Sequence, residues 1–295
     1  MSSMNFSLIG AGRLGKSLAF SLLHDDLGEL RDLCNTTLAS AHTATKRLGA
    51  GRPISSLTKL KDTDILWITV PDEHIAAIAN TLAEQHILKP GTVVVHCSGV
   101  LSSAVLNPLT QLGCHTASLH PFKAFSLNQL DPNAFQGCYC ALEGAPNAIN
   151  TLSPLFKQLG AVLITIEPEK KAVYHAAAVI ASNYLVTMAA ISTKLLVEAG
   201  IDAAVAKRMI HQIMQSNLNN IEQAITPESA LTGPIARGDT HTIKRHIKAL
   251  NEASIRQLYA TAALATLPLT QLEAAQQQEM RKLLRACQEI NVTGP

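Results

Sequence analysis

Charged residues make up only 16% of this 295-residue sequence against 47% apolar ones, which excludes a disordered chain and allows two domains with separate cores. No cluster of Lys and Arg accompanies the net charge of +2, so the electrostatic footprint of a nucleic-acid partner is missing. The six cysteines, Cys34, Cys97, Cys114, Cys138, Cys140 and Cys287, form no CxxC pair and no metal-type spacing with histidine, so no metal site is expected. Cys97, Cys138 and Cys140 fall in or beside apolar strands, where a free thiol behaves as a small buried hydrophobe, and a reducing cytoplasm is the expected location. The N-terminus lacks a basic leader, and its apolar run stops at glycine, unlike a signal peptide. Neither an internal repeat nor a low-complexity tract is present. Residues 172–193 contain no Asp, Glu, Lys or Arg. Tyr174, His175, Ser182, Asn183 and Tyr184 interrupt that stretch and no companion span exists, so it is expected as a buried central helix and no membrane is expected as partner.

What is present starts at the N-terminus. The strand-like Phe6-Ser7-Leu8-Ile9 runs into Gly10-Ala11-Gly12-Arg13-Leu14-Gly15 and then into helically spaced apolar residues from Lys16 to Leu23. GxGxxG between a strand and a helix matches the first turn of a dinucleotide-binding βαβ unit. Gly10 permits the tight turn, Gly12 lets backbone approach a pyrophosphate, and Gly15 lets helix and strand pack closely. The helix start offers free N–H groups to the phosphates.

Strands and helices then alternate. Strands are predicted at 30–34, 64–70, 92–97, 116–119, 139–142 and 162–166, with helices at 39–48, 73–85 and 147–159, which predicts a parallel, doubly wound sheet. Beyond Glu167-Pro168 no convincing strand remains. Helices are predicted over about 169–198, from the Asp202 cap to about 225, and from the Asp239 cap over 240–250, with further segments to 289 around Pro268. The expected architecture is α/β: a Rossmann domain over 1–167 and an all-helical domain over 168–295.

An acidic residue after the second strand would hold the ribose hydroxyls of NAD and repel a 2′-phosphate. Here Asn35-Thr36-Thr37 follows Cys34, which favours NADP(H), with NAD the alternative. Three other strand ends lie where doubly wound sheets place ligands: Val70-Pro71-Asp72, His96-Cys97-Ser98-Gly99 and Leu119-His120-Pro121. Ser98 offers a hydroxyl, and His120 a group titrating near neutrality, unless it simply bonds a neighbouring carbonyl. On the long helix, Lys171, His175 and Ser182 fall within about 40° of one another, with Asn183 flanking them. Such a polar stripe in an Ala- and Val-rich helix needs partners, supplied by a cofactor cleft or by neighbouring helices. Arg237, on the glycine- and proline-bearing loop 230–239, could bind a substrate carboxylate bidentately or pair structurally, while Asp239 reads as a helix cap.

These features together resemble a family that joins a Rossmann-like domain to a C-terminal domain of unknown function, DUF2520. The resemblance is carried by the GxGRxG turn, Ser118-Leu119-His120-Pro121, Tyr174-His175-Ala176-Ala177-Ala178-Val179 with Ala181-Ser182-Asn183-Tyr184, and Leu231-Thr232-Gly233-Pro234-Ile235-Ala236-Arg237-Gly238-Asp239. The layout is more distantly similar to the 6-phosphogluconate dehydrogenase superfamily, including pyrroline-5-carboxylate reductase, ketopantoate reductase and β-hydroxyacid dehydrogenases. That resemblance implies NAD(P)H binding, an active site between two domains and a helical domain that forms a homodimer. Members often pair a Lys with an Asn one turn later; here Lys171 is followed by His175, so that pair is absent.

The resulting expectation is an oxidoreductase that transfers a hydride between NADP(H) and a small, anionic carbonyl, imine or hydroxy compound. The cofactor set is Gly10, Ala11, Gly12, Arg13, Leu14, Gly15, Asn35, Thr36, Thr37, Val70, Pro71 and Ser98. His175 or His120 would handle the proton, Ser98 and Asn183 would orient the substrate, and Arg237 would bind its acid group. The alternative is a sensor or partner-binding protein that holds NADP(H) without turnover.

Overall fold

The structure, a computed structural model, describes residues 4–126 and 129–289. The chain divides into two compact units, Met1–Asn183 and Tyr184–Pro295.

The first unit is built on β1 (Asn5–Ile9), α1 (Arg13–His24), β2 (Glu29–Cys34), α2 (Leu38–Leu48), β3 (Arg52–Ile54), β4 (Ile65–Ile68), α3 (Asp72–Glu84), β5 (Val93–His96), α4 (Asn107–Thr110), β6 (His115–Pro121), β7 (Tyr139–Gly144), α5 (Pro146–Gln158) and β8 (Val162–Thr165). The eight strands form one sheet in the order β3-β2-β1-β4-β5-β6-β7-β8. Successive side chains along β4 and β5 enter opposite cores. Ile65, Trp67, Val93 and Val95 join one apolar cluster with α1 and α5, whereas Leu66, Ile68 and Val94 join another with α3. A sheet covered on both faces demands such uninterrupted apolar strands. Trp67, the sole tryptophan, is wholly buried against Phe156, ring centroids 5.9 Å apart.

Two expectations need correction here. The sheet is not wholly parallel: β7 runs antiparallel to β6, with Ser118 opposite Glu143 and His120 opposite Ala141. Among the described residues between β6 and β7 there is no crossover helix, so nothing there forces the parallel direction. The short strand β3 was also unread in the sequence, because Arg52-Pro53-Ile54 has neither length nor alternation.

Beyond β8 the chain is helical. α6 (Lys171–Glu198) continues from the first unit into the second, which adds α7 (Ala203–Gln223), α8 (Thr240–Ala249), α9 (Ala253–Thr266) and α10 (Ala274–Glu289). Asp202 caps α7 by accepting from Ala204 and Val205 N–H, and Asp239 caps α8 through Thr242. Ile243, Ala260, Ala263, Leu267, Met280 and Leu284 form the small core of this unit. α6 is not the buried helix expected. Val173, Ile180 and Val186 are each more than 60% exposed. Segment Pro168–Glu198 is long and apolar enough to cross a membrane by length and composition. A helix that is apolar on every side finds only part of its surface covered by one chain.

Candidate functional site

The strand order reverses direction between β1 and β4, and a cleft of about 610 Å³ opens at their carboxyl ends. Gly10, Ala11 and Gly12 line it, opposite Asn35 and Thr36 after β2 and Val70 and Pro71 after β4. Each glycine answers a separate demand. Gly10 has φ +93°, and a Cβ there would lie 2.7 Å from Val70 Cγ1. Gly12 faces open space, so an incoming group can reach its backbone. A Cβ at Gly15 would fall 2.3 Å from Gly10 O, which is the close helix–strand packing read from the sequence. Gly12 is the N-cap of α1 and supplies no side-chain cap, leaving the first N–H groups of the helix open to an anion.

The rest of the proposed cofactor set is placed differently. Asn35 secures the turn, its Oδ1 accepting from Ala11 N–H at 2.8 Å. Arg13 is exposed and Leu14 packs on the core, so their side chains do not line the cleft. Thr37 is the N-cap of α2, accepting from Ser40 N–H, and Ser40 takes the place expected for it on the cleft wall. Asp32 of β2 is buried and bonded to Arg52 Nε at 2.7 Å and Lys61 N–H at 2.7 Å. Side chains missed by the motif reading, His74, Ile78 and Thr81 along α3, also line the wall. Their signal was their spacing of three and four residues on one helix face.

A second group forms at the ends of β5 and β6. His120 lies edge-on to both Tyr174 and His175, at centroid distances of 5.5 Å in each case. Its Nδ1 is 3.0 Å from the Tyr174 hydroxyl, not bonded to a carbonyl. Burial first, then the neighbouring His175 and Lys171, pushes His120 down to about 4, while Asp72 opposes. Burial likewise raises the Tyr174 phenol to about 12. His120, His175, Lys123, Ser182 and Asn183 line a cavity of about 330 Å³. Ser182 donates to Ala178 O and to Asn183 Oδ1, so it turns back on its own helix.

Beneath this group Lys171 is completely buried. Its ammonium donates to Ser118 Oγ at 2.7 Å and to Ser98 O at 3.2 Å, with Glu143 Oε1 at 3.9 Å. Glu143 in turn accepts from both N–H and Oγ of Ser103, at 2.7 Å each. Burial draws the Lys171 pKa down and Glu143 draws it up; the net direction is down. Lys171 is therefore held by the strand ends, while Ser182 bonds back to its own helix. Ser98 also differs from expectation. It is buried, and its Oγ accepts from Val100 and Leu101 N–H, so its hydroxyl closes a turn behind the site. His96 staples the same turn, Nδ1 accepting from Ser98 N–H and Nε2 donating to Ser102 O, and burial pushes it down to about 4. Arg237 belongs to the second unit, exposed on the loop that Asp239 closes. Among the described residues no group of three or more His, Cys, Asp or Glu could hold a metal ion, and all six cysteines are free and buried.

A Rossmann-like family model matches residues 2–121, and the DUF2520 model matches residues 138–266. The chain carries a Rossmann-like domain and a DUF2520 domain. The DUF2520 segment thus begins at Cys138, ahead of β7, and includes Glu143, Lys171, Tyr174 and His175. No curated protein matches the sequence. Among solved structures, a Bacteroides fragilis protein described as a putative NADP oxidoreductase shares the fold at TM-score 0.73 and 19% identity, over 97% of this chain and 98% of its own. The Thermotoga maritima protein TM1727 is 26% identical at TM-score 0.62, over 97% and 99%. A Plasmodium falciparum pyrroline carboxylate reductase with NADP bound is 11% identical at TM-score 0.60, over 96% and 99%. These likenesses are of fold.

Two outcomes follow from the buried groups. Lys171→Met should destabilise the first unit by about 3–5 kcal/mol in urea unfolding, because Glu143 is left charged and unpaired, and adding Glu143→Gln should restore most of the loss. His96 and His120 titrate lower when folded than their ordinary 6.5. Between pH 6.5 and 4 the unfolded chain therefore binds protons that the folded one refuses, and stability falls as pH falls. The share of His96 is roughly 3 kcal/mol, and His96→Gln should flatten the curve of unfolding midpoint against pH.

Proposed function

We propose that this chain is an NADP(H)-dependent oxidoreductase acting on a small, anionic carbonyl, imine or hydroxy compound. The observation that carries the reading is the cleft at the strand-order reversal, where a glycine turn, an uncapped helix start and an open backbone at Gly12 fit a dinucleotide pyrophosphate. The neighbours of like fold described as an NADP oxidoreductase and as a reductase with NADP bound support it. The choice of NADP over NAD rests on charge. The only acid of β2 that could meet a ribose, Asp32, is buried against Arg52, while Thr36 and Ser40 present hydroxyls to the cleft.

When bound, the nicotinamide supplies the two-electron chemistry. The chain's own groups do the rest. Val70 and Pro71 bound the cleft beside β4. His120 and His175 line the second cavity as the candidates for proton transfer, and Asn183 stands at its wall to orient the substrate. Six free, buried thiols suit a reducing compartment such as the cytoplasm.

The exposed apolar surfaces of α6 and α7, including Val173, Ile180, Val186 and Ile213, suit a homodimer. Light scattering on the purified chain should give twice the chain mass, and a monodisperse monomer would overturn this part. NADPH should bind measurably by calorimetry, and one of a panel of keto acids, imines and aldehydes should drive its oxidation. His175→Ala should abolish that turnover while leaving NADPH affinity nearly unchanged. Binding without oxidation across the panel would instead mark a nucleotide-holding protein without turnover, and no binding at all would overturn the reading.

A further inference from the structure

Lys123 stands two residues past Pro121, the end of β6. Its N–H bonds back to Pro121 O at 2.9 Å, and its ammonium donates to Ala134 O at 2.6 Å. The side chain so held lines the cavity of about 330 Å³ together with His120, His175 and Asn183. A carbonyl takes one of three ammonium hydrogens and none of the charge, which leaves two donors and a full positive charge over. Among the described residues no carboxylate forms an ion pair with Lys123.

The rest of the cavity wall gives that charge no competitor. Among its described residues there is no Asp, Glu or Arg, and Lys123 alone carries a permanent charge. Burial holds His120 down to about 4, so its ring is neutral near pH 7. The two imidazoles fill the space over Gly99, where an added Cβ would fall 2.3 Å from His175 Nδ1 and 2.9 Å from His120 Nε2. Gly99 is not on the wall of the cavity, so the open volume lies elsewhere, along Lys123 and the α6 residues Ala178 and Val179. A cation among partly apolar walls draws an anion, and a volume near the lower end for ligand pockets suits a small one. A single fixed charge balances one carboxylate. A phosphate dianion or a dicarboxylate would be left with charge to spare. Arg237, the cation expected for this task, belongs to the second unit.

We propose that Lys123 is a specificity-determining residue that pairs its ammonium with one carboxylate of the substrate. The proposal rests on the oxidoreductase reading and narrows it: the compound handled in this cavity is a small monocarboxylic acid.

Carbon–proton NMR on the full chain carrying ¹³C-lysine tests the pairing without turnover. Pyruvate or phenylpyruvate at millimolar concentration should move the Lys123 side-chain signal, which is identified by its loss in Lys123→Arg. The exposed Lys46 and Lys157 should move less, and pyruvamide, which has no charge, should leave Lys123 in place. In kinetics with NADPH, Lys123→Met should lower the ratio of kcat/KM for a keto acid over that for a neutral aldehyde by about three- to tenfold, as befits an exposed pair. NADPH affinity should stay nearly unchanged, and Lys123→Arg should keep most of the preference. A Lys123 signal that moves no further than those of Lys46 and Lys157, or equally with pyruvamide, would overturn the proposal, as would an unaltered preference in Lys123→Met. Should Lys123→Met not fold for want of its bond to Ala134 O, the wild-type titration and Lys123→Arg still decide. Selective movement of the Lys123 signal together with absent NADPH oxidation would count against the oxidoreductase reading alone.

Discussion

The buried ammonium of Lys171 is the constraint on which the site depends. It joins four separate pieces of the first unit: the turn after β5 through Ser98 O, β6 through Ser118, β7 through Glu143, and the 103 turn through the carboxylate it shares with Ser103. An ammonium withdrawn from water tolerates little displacement, because each lost partner leaves a charge uncompensated. The first turn of α6 is thereby fixed in register against the sheet edge. Tyr174 and His175, three and four residues further on, inherit that register and meet His120 edge-on. The antiparallel turn of β7 is part of the same device. It places Glu143 directly opposite Ser118, within reach of a cation arriving from α6.

Two kinds of glycine serve the two halves of this arrangement. Gly10 adopts a backbone that other residues resist, and it shapes the turn itself. Gly99 adopts an ordinary one and is needed for the volume it does not occupy. Substitution at the first strains the chain, whereas substitution at the second pushes imidazoles apart without strain in the backbone. The cofactor-type cleft and the imidazole cavity are therefore shaped by different physical means, although both sit at the carboxyl edge of one sheet.

Much of the fold was legible because it rests on periodicity. The apolar runs of β4 and β5, the caps at Asp202 and Asp239 and the GxGxxG turn all announce themselves over a few neighbouring residues. His120, His175 and Asn183 were legible as polar residues at a strand end and on an apolar helix. What stayed hidden depends on pairing across long sequence distances. The partner of Lys171 is 28 positions away on a strand whose direction the sequence does not state, and Ser118 is 53 away. Helical spacing therefore shows Lys171 beside His175 and Ser182 but hides the strand residues that it bonds. The local roles of Ser98 and Thr37 stayed hidden for a related reason: a hydroxyl near a ligand edge looks available until its backbone partners are known.

Asn35 has a consequence of a different order. Its amide oxygen anchors the glycine turn through Ala11 N–H, at the very place where a carboxylate would discriminate between dinucleotides. An aspartate there would keep the same acceptor at the same reach and merely add a charge. Asparagine and aspartate codons differ by a single base. The anchoring of the turn and the charge at this position are thus separable: a carboxylate could replace the amide without loss of the bond that holds the turn.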